Sequence, residues 1–188
     1  MKQRAIVLYA STHGHTRRIA ARIGERFEAA GVVAGVRDVA DYGAVCDLGK
    51  YDAAVVGASV HGGHHQKAMV EWIARHHARL NAMPSAFFSV SLTAADDTDE
   101  ARASTRAMIG DLLDDTGWIP QATAAFAGAL QFEEYHLPTR VLMRLIARRH
   151  DPQVDVHVDT DYTDWAAVDR FADDVAASLQ TQTTEVPS

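Results

Sequence analysis

The sequence predicts an α/β three-layer sandwich: a five-stranded parallel sheet in the order 2-1-3-4-5, helices on both faces, and an insertion before the last helix. Three observations carry this. Short apolar runs alternate with stretches of helical periodicity, the mark of repeated βαβ units. The runs are apolar throughout rather than every second residue, as in strands buried on both faces. The first run also opens into a hydroxyl-rich loop and then a helix, and the loop after the third run falls beside it. In open α/β sheets ligands bind at that end, where the strand order reverses.

In chain order, Arg4 to Tyr9 is the first strand. Ile19, Ala20, Ile23, Phe27 and Ala30 follow at helical spacing, with Arg17, Arg18, Arg22 and Glu25 on the opposite face and Gly31 as the stop. Val32 to Val39 alternates weakly and reads as the second strand, and Tyr51 to Ala58 as the third. Ala68, Met69, Trp72, Ile73 and Leu80 give the next helix its buried stripe, leaving His76 and His77 at its surface and rim. Ser85 to Leu92 is the fourth strand. Ala107, Met108, Leu112 and Leu113 mark a helix stopped near Gly117, and Ala122 to Leu130 is the fifth strand. Trp165 to Leu179 is the last helix, capped by Thr163 or Asp164, and Gln180 to Ser188 reads as a frayed tail. Residues 1–180 form one domain, with 181–188 as a disordered tail.

Between the fifth strand and the last helix lie residues 131–161, more than a minimal sandwich needs. Leu137, Val141, Leu142, Leu145 and Ile146 fall on one helical face there, with Arg140, Arg144 and Arg148 aligned on another. A basic amphipathic helix in an otherwise acidic chain fits a membrane surface or a partner. The plainer reading is a helix packed on the body with an arginine-lined solvent face. Asp155 to Thr160 alternates like a short edge strand.

Composition narrows the class. With 188 residues the chain is one domain of ordinary size, and its net charge of −7 argues against nucleic acid as a partner. Cys46 is the only cysteine, so neither a disulfide framework nor a thiolate metal cluster is expected. The first strand leaves no room for a signal peptide, and no apolar run is long enough to span a bilayer, so the expectation is a cytoplasmic protein. Aspartate outnumbers glutamate 18 to 7, and arginine outnumbers lysine 15 to 3. High salt and a GC-rich genome each produce such a bias.

The loop Ser11-Thr12-His13-Gly14-His15-Thr16 carries the chemistry. It lies before a helix N-terminus, where unpaired backbone N–H groups and the helix dipole favour an anion. It is neither a Walker loop nor G-x-G-x-x-G. Several hydroxyls with a single glycine fit a phosphate monoester held by side-chain O–H and backbone N–H together. The plainer reading is a Ser/Thr-capped helix. The loop after the third strand contains His61, His64 and His65, but no neighbouring carboxylate, cysteine or H-E-x-x-H pattern supports a metal. A Ser/His/Asp hydrolase lacks its G-x-S-x-G elbow.

The loop resembles the flavodoxin phosphate loop at Ser11, Gly14 and Thr16, with His13 where that family usually has a hydroxyl. The resemblance implies FMN. Ser11, Thr12, His13, Gly14, His15 and Thr16 would hold its phosphate. The flavin ring would lie between Ser59, Val60, His61, Gly62 and Gly63 on one side and Ser91, Leu92, Thr93 and Ala94 on the other. Protonation of His13 would then strengthen FMN binding at lower pH.

Other stretches resemble one branch of that fold, the menaquinone-dependent protoporphyrinogen IX dehydrogenases. They are Gly57-Ala58-Ser59-Val60 with Gly63-His64-His65, Leu80 to Val90 including Asn81-Ala82-Met83-Pro84-Ser85, Ala127 to Leu130, and Tyr162-Thr163-Asp164-Trp165. The resemblance implies oxidation of protoporphyrinogen IX to protoporphyrin IX in haem synthesis, by three two-electron steps, with electrons passed through FMN to a quinone. No catalytic side chain is assigned. It also implies peripheral membrane association through the insertion, whose arginines would meet anionic headgroups or substrate propionates. Two departures concern the substrate: the loop after the fourth strand is acidic (Asp96, Asp97, Asp99, Glu100), and Gln131 stands where well-known members carry arginine. The alternatives are a flavodoxin-type electron carrier and an FMN-dependent NAD(P)H:quinone reductase. The sequence leaves the oligomeric state open.

Overall fold

The computed structural model describes residues 2–130 and 160–184. Its main sheet contains β1 (Arg4–Ala10), β2 (Val33–Asp38), β3 (Ala53–His61), β5 (Ser85–Ser91) and β6 (Ala122–Ala127). These run parallel in the order β2-β1-β3-β5-β6, the expected 2-1-3-4-5 order of the five principal strands. A sixth strand, β4 (His64–His65), folds back antiparallel on the end of β3.

Both faces of the sheet are covered, which is why its central strands read as unbroken apolar runs. Ala5, Val7 and Tyr9 of β1 point to the layer formed by α1 (His15–Ala29) and α5 (Trp165–Thr184), against Ile19, Ile23, Phe27, Val168 and Ala172. Ile6 and Leu8 point to the other layer, against Met69, Trp72 and Ile73 of α3 (Lys67–Asn81) and Ile109 and Leu112 of α4 (Asp99–Thr116). A short helix, α2 (Val39–Tyr42), follows β2.

Helices α1 and α5 are also riveted along their length. Arg22 grips Asp169 with two N–H···O bonds of 2.7 Å, and Arg26 grips Asp173 with bonds of 2.9 and 2.6 Å. Each partner pair is one turn apart, so the two forks are in register. On the other layer, Trp118 Nε1 donates to Ser85 Oγ (3.0 Å), which donates to the Leu80 carbonyl (3.0 Å). Asn81 donates to the Gly117 carbonyl (3.0 Å) and accepts from Ile119 N–H (2.8 Å). The Asn81-to-Ser85 run therefore pins the end of α3 to the end of α4, a structural role.

Several element ends differ from the sequence reading. The fifth strand breaks at Gly128: β6 stays in the sheet, while β7 (Ala129–Leu130) leaves it to pair antiparallel with β8 (Thr160–Asp161). The Gly128 N–H donates to the Ser91 carbonyl at 3.0 Å, the last rung of the ladder. Of the two caps the sequence offers for α5, Asp164 is the one used, accepting from the Ala167 N–H at 3.0 Å. That helix continues to Thr184, past the Gln180 where the apolar stripe stops. Gln131 and the basic stretch with Arg140, Arg144 and Arg148 lie outside the described residues, as do most of the expected edge strand and the last four residues.

Candidate functional site

The three segments expected to form the site meet at the carboxyl end of the sheet. β1 stops at Ala10, and Ser11 to Gly14 turn the chain into α1. Gly14 takes φ 77°, a left-handed conformation that a side chain would strain, and a Cβ there would meet open space. No side chain caps the α1 N-terminus, and its first turn holds no acidic residue. Side chains cap α2 (Asp38) and α4 (Thr98), while α3, like α1, has none. The Ser/Thr-capped reading of this loop is therefore wrong. Its hydroxyls leave the leading N–H groups to another acceptor. Ser11 Oγ is buried with no hydrogen-bond partner, an unsatisfied donor beside an uncapped helix end. Those features fit a phosphoryl group.

The second segment is not the loop that periodicity suggested. Ser59, Val60 and His61 belong to β3 itself, and only Gly62 and Gly63 form the turn, with φ of 57° and 83°. Two consecutive glycines at positive φ make a tight hairpin turn whose twist suits antiparallel strands. His61 consequently lies opposite His64, and Val60 opposite His65. No Cβ at either glycine would meet an atom within 4 Å, which leaves the hairpin tip open to close approach by a flat ligand. No group of three or more His, Cys, Asp or Glu among the described residues is placed to hold a metal.

Gln66, which sequence reasoning missed, joins the first two segments. Its amide nitrogen donates to Thr12 Oγ1 (2.6 Å) and Ser59 Oγ (2.9 Å). Ser59 Oγ is also 3.4 Å from His61 Nε2, and the His13 and His61 rings meet edge to face at 5.5 Å. Burial, and secondarily the His13 charge, lower the His61 pKa. Below the hairpin, His65 Nε2 meets Ser89 Oγ at 2.8 Å in the core, and burial pushes its pKa down to about 4.

The third segment begins at Ser91, the last residue of β5. Ser91 Oγ accepts from the Ala94 N–H at 3.2 Å, and Thr93 to Ala95 form a short 3-10 turn. Its carboxylates are largely engaged locally: Asp96 accepts from the Thr98 N–H, and Asp97 and Asp99 both bind Arg102.

A further group of residues ties α1 to the segment entering α5. His15 Nε2 sits 2.6 Å from Thr163 Oγ1 and 3.7 Å from Asp161, and Arg18 reaches Asp161 at 3.2 Å and covers the Trp165 ring. Burial, assisted by Arg18 and opposed by Asp161, lowers the His15 pKa. Desolvation would raise the Asp161 pKa, but its Thr163 hydrogen bonds and the His15 and Arg18 charges together bring it below the usual carboxylate value. Only the Tyr162-Thr163-Asp164-Trp165 resemblance pointed to this segment. Gln66 carried no signal, because a glutamine before a helix is ordinary.

The flavodoxin-domain family model matches residues 6–156. The chain is 38% identical over 175 residues to the protoporphyrinogen IX dehydrogenase [quinone] of Leishmania major, covering 93% of this chain and 75% of that protein. It is 32% identical over 175 residues to the protein of the same name from Escherichia coli strain K12, covering 92% and 94% respectively. Among solved structures, a flavodoxin from the domain Archaea superposes with a TM-score of 0.55 at 19% identity, over 95% of this chain and 99% of that one. A strand-loop-helix with an open anion cradle, on a sheet of this order and with these relatives, leads to one conclusion: the chain belongs to the flavodoxin-domain family and, within it, groups with the protoporphyrinogen IX dehydrogenases.

Proposed function

We propose that this protein is an FMN-dependent dehydrogenase that oxidises protoporphyrinogen IX to protoporphyrin IX and passes the electrons to a quinone. The observation that carries the reading is the uncapped N-terminus of α1, with the buried, unpartnered Ser11 hydroxyl beside it and the glycine hairpin of β3 and β4 close by. Ser11, Thr12, Gly14 and Thr16, with the leading amides of α1, would hold the phosphate, with His13 beside them, whereas the His15 ring faces Thr163 and Trp165 and would support the loop from behind. Ser59 to Gly63 and Ser91 to Ala94 would flank the ring. When bound, FMN supplies the redox chemistry of accepting a hydride and releasing electrons one or two at a time. The chain's part is position: Gln66 sets the spacing between the first two segments, and the Ser91–Ala94 turn closes the third. No side-chain acid or base is required of it.

The test is an anaerobic half-reaction. Protein loaded with FMN should lose its flavin absorbance on addition of protoporphyrinogen IX, and a quinone should restore it. Bleaching by NADPH instead would favour the quinone reductase, and bleaching by neither would leave an electron carrier.

We also propose that the basic stretch containing Arg140, Arg144 and Arg148 binds the cytoplasmic face of the membrane, where quinone and porphyrinogen both partition. No helix among the described residues is long and apolar enough to cross a bilayer. Anionic vesicles should sediment the protein and fail to do so after all three arginines become glutamate.

A further inference from the structure

The strand order leaves β6 at the edge of the sheet, and α4 does not close fully over it. A cleft of about 360 Å³ remains, lined by Ala94 and Asp96 of the turn after β5, Arg102, Arg106 and Ile109 of α4, and Thr123 of β6. Ala94 also belongs to the turn proposed to flank the flavin ring, so this cleft opens directly beside the redox site.

The charges in it are arranged unequally. Arg102 is occupied: it donates to the carboxylates of Asp97 and Asp99 and to the Asp97 carbonyl. Arg106 lies one turn further along the same helix face, is exposed, and has no ion pair or hydrogen bond among the described residues. Arg102 is thus spent on two of the turn's four carboxylates, while the Asp96 carboxylate in the cleft wall accepts from the Thr98 N–H. Arg106 is the guanidinium of that wall left without an ion pair among the described residues, and its planar fork suits a carboxylate. The apolar floor, Ala94, Ala124 and Ile109, suits a hydrocarbon ring.

We infer that this cleft is the substrate's carboxylate subsite, and that Arg106 receives a propionate of protoporphyrinogen IX while the macrocycle lies toward the Ser91–Ala94 turn. The inference rests on the function proposed above. It makes Arg106 a binding and orienting residue that reads charge, and it takes no proton or electron.

Protoporphyrinogen IX and its uncharged dimethyl ester separate the two questions. The FMN-loaded wild type is expected to oxidise both, with a KM for the free acid about five- to tenfold lower, the effect of one partly exposed ion pair. In Arg106→Gln that preference should shrink to near unity, through KM rather than kcat and with FMN content unchanged. Binding of the product, protoporphyrin IX, followed by its fluorescence, should weaken to the same extent, and Arg106→Lys should restore part of it. Arg79→Gln, near the end of α3, should leave the preference intact. An Arg106→Gln variant that keeps the wild-type preference for the free acid overturns the inference, whether some other part of the chain fills the cleft or the carboxylates bind elsewhere. Failure of the wild type to oxidise either compound overturns the proposed function instead.

Discussion

His15 Nε2 and Thr163 Oγ1 are 2.6 Å apart, joining the phosphate loop's helix to the segment that enters α5 across 148 residues of sequence. The same Thr163 oxygen lies 2.9 Å from the Ala127 carbonyl. His15 Nδ1 is buried with no hydrogen-bond partner among the described residues, so the ring is held through Nε2. His15→Ala removes that bond and leaves a cavity. The expected loss is about 2 kcal/mol, read as a lower urea midpoint with unchanged slope. In a double-mutant cycle with Thr163→Ala the losses should be less than additive.

The His65–Ser89 contact predicts a pH dependence of stability. Burial lowers the His65 pKa from 6.5 to about 4. Between those values the unfolded chain takes up a proton that the folded chain refuses. Stability from this group is complete above pH 6.5 and is lost as pH falls toward 4, by an amount on the order of 3 kcal/mol at most. His15, lowered by burial in the same direction, adds to the slope. Urea titrations from pH 8 to pH 4.5 should show this decline, and His65→Gln should flatten much of it.

Gly57 is a packing requirement. A Cβ there would collide with the Phe88 ring across the β3–β5 pair. Gly57→Ala should destabilise by about 2 to 3 kcal/mol through overpacking. Phe88→Leu alone should also destabilise. The double variant should be more stable than the sum of the two losses implies, because the shorter side chain frees the space. Thermal unfolding of all four proteins measures the difference.

At Gly14 the constraint is conformational. Space is open but φ is 77°, so Gly14→Ala strains the turn by about 1 to 2 kcal/mol and tilts the leading amides of α1. FMN binding, measured by calorimetry, should weaken about tenfold or more. Riboflavin, which lacks the phosphate, should bind wild type and variant with nearly equal affinity. Equal weakening of both ligands would place the phosphate elsewhere.

Much of the architecture was legible in the chain. Continuous apolar runs such as Ala5 to Tyr9 and Ala53 to Ala58 mean burial on both faces, and that forces a parallel sheet with two helical layers. Glycines after Ala30 and Thr116 marked helix ends because a left-handed residue is needed there. The hydroxyl loop could be placed because its neighbours in sequence are its neighbours in space. The hairpin was misread because His61, Gly62, Gly63 and His64 show no alternation over so short a span. Their pairing depends on which strand end lies nearby.

By itself the sequence determined the layers, the parallel strands and the position of the anion loop, since these follow from local periodicity and from turn residues with one allowed conformation. Tertiary structure decided what that loop can do. It left α1 uncapped and placed Gln66 between Thr12 and Ser59. It set His15 against Thr163, and it paired Asp97 and Asp99 of the acidic turn with Arg102 while leaving Arg106 without an ion pair among the described residues. Those relations join residues far apart in the chain. Which hydrogen bonds are already satisfied is known only when every competing partner is in place.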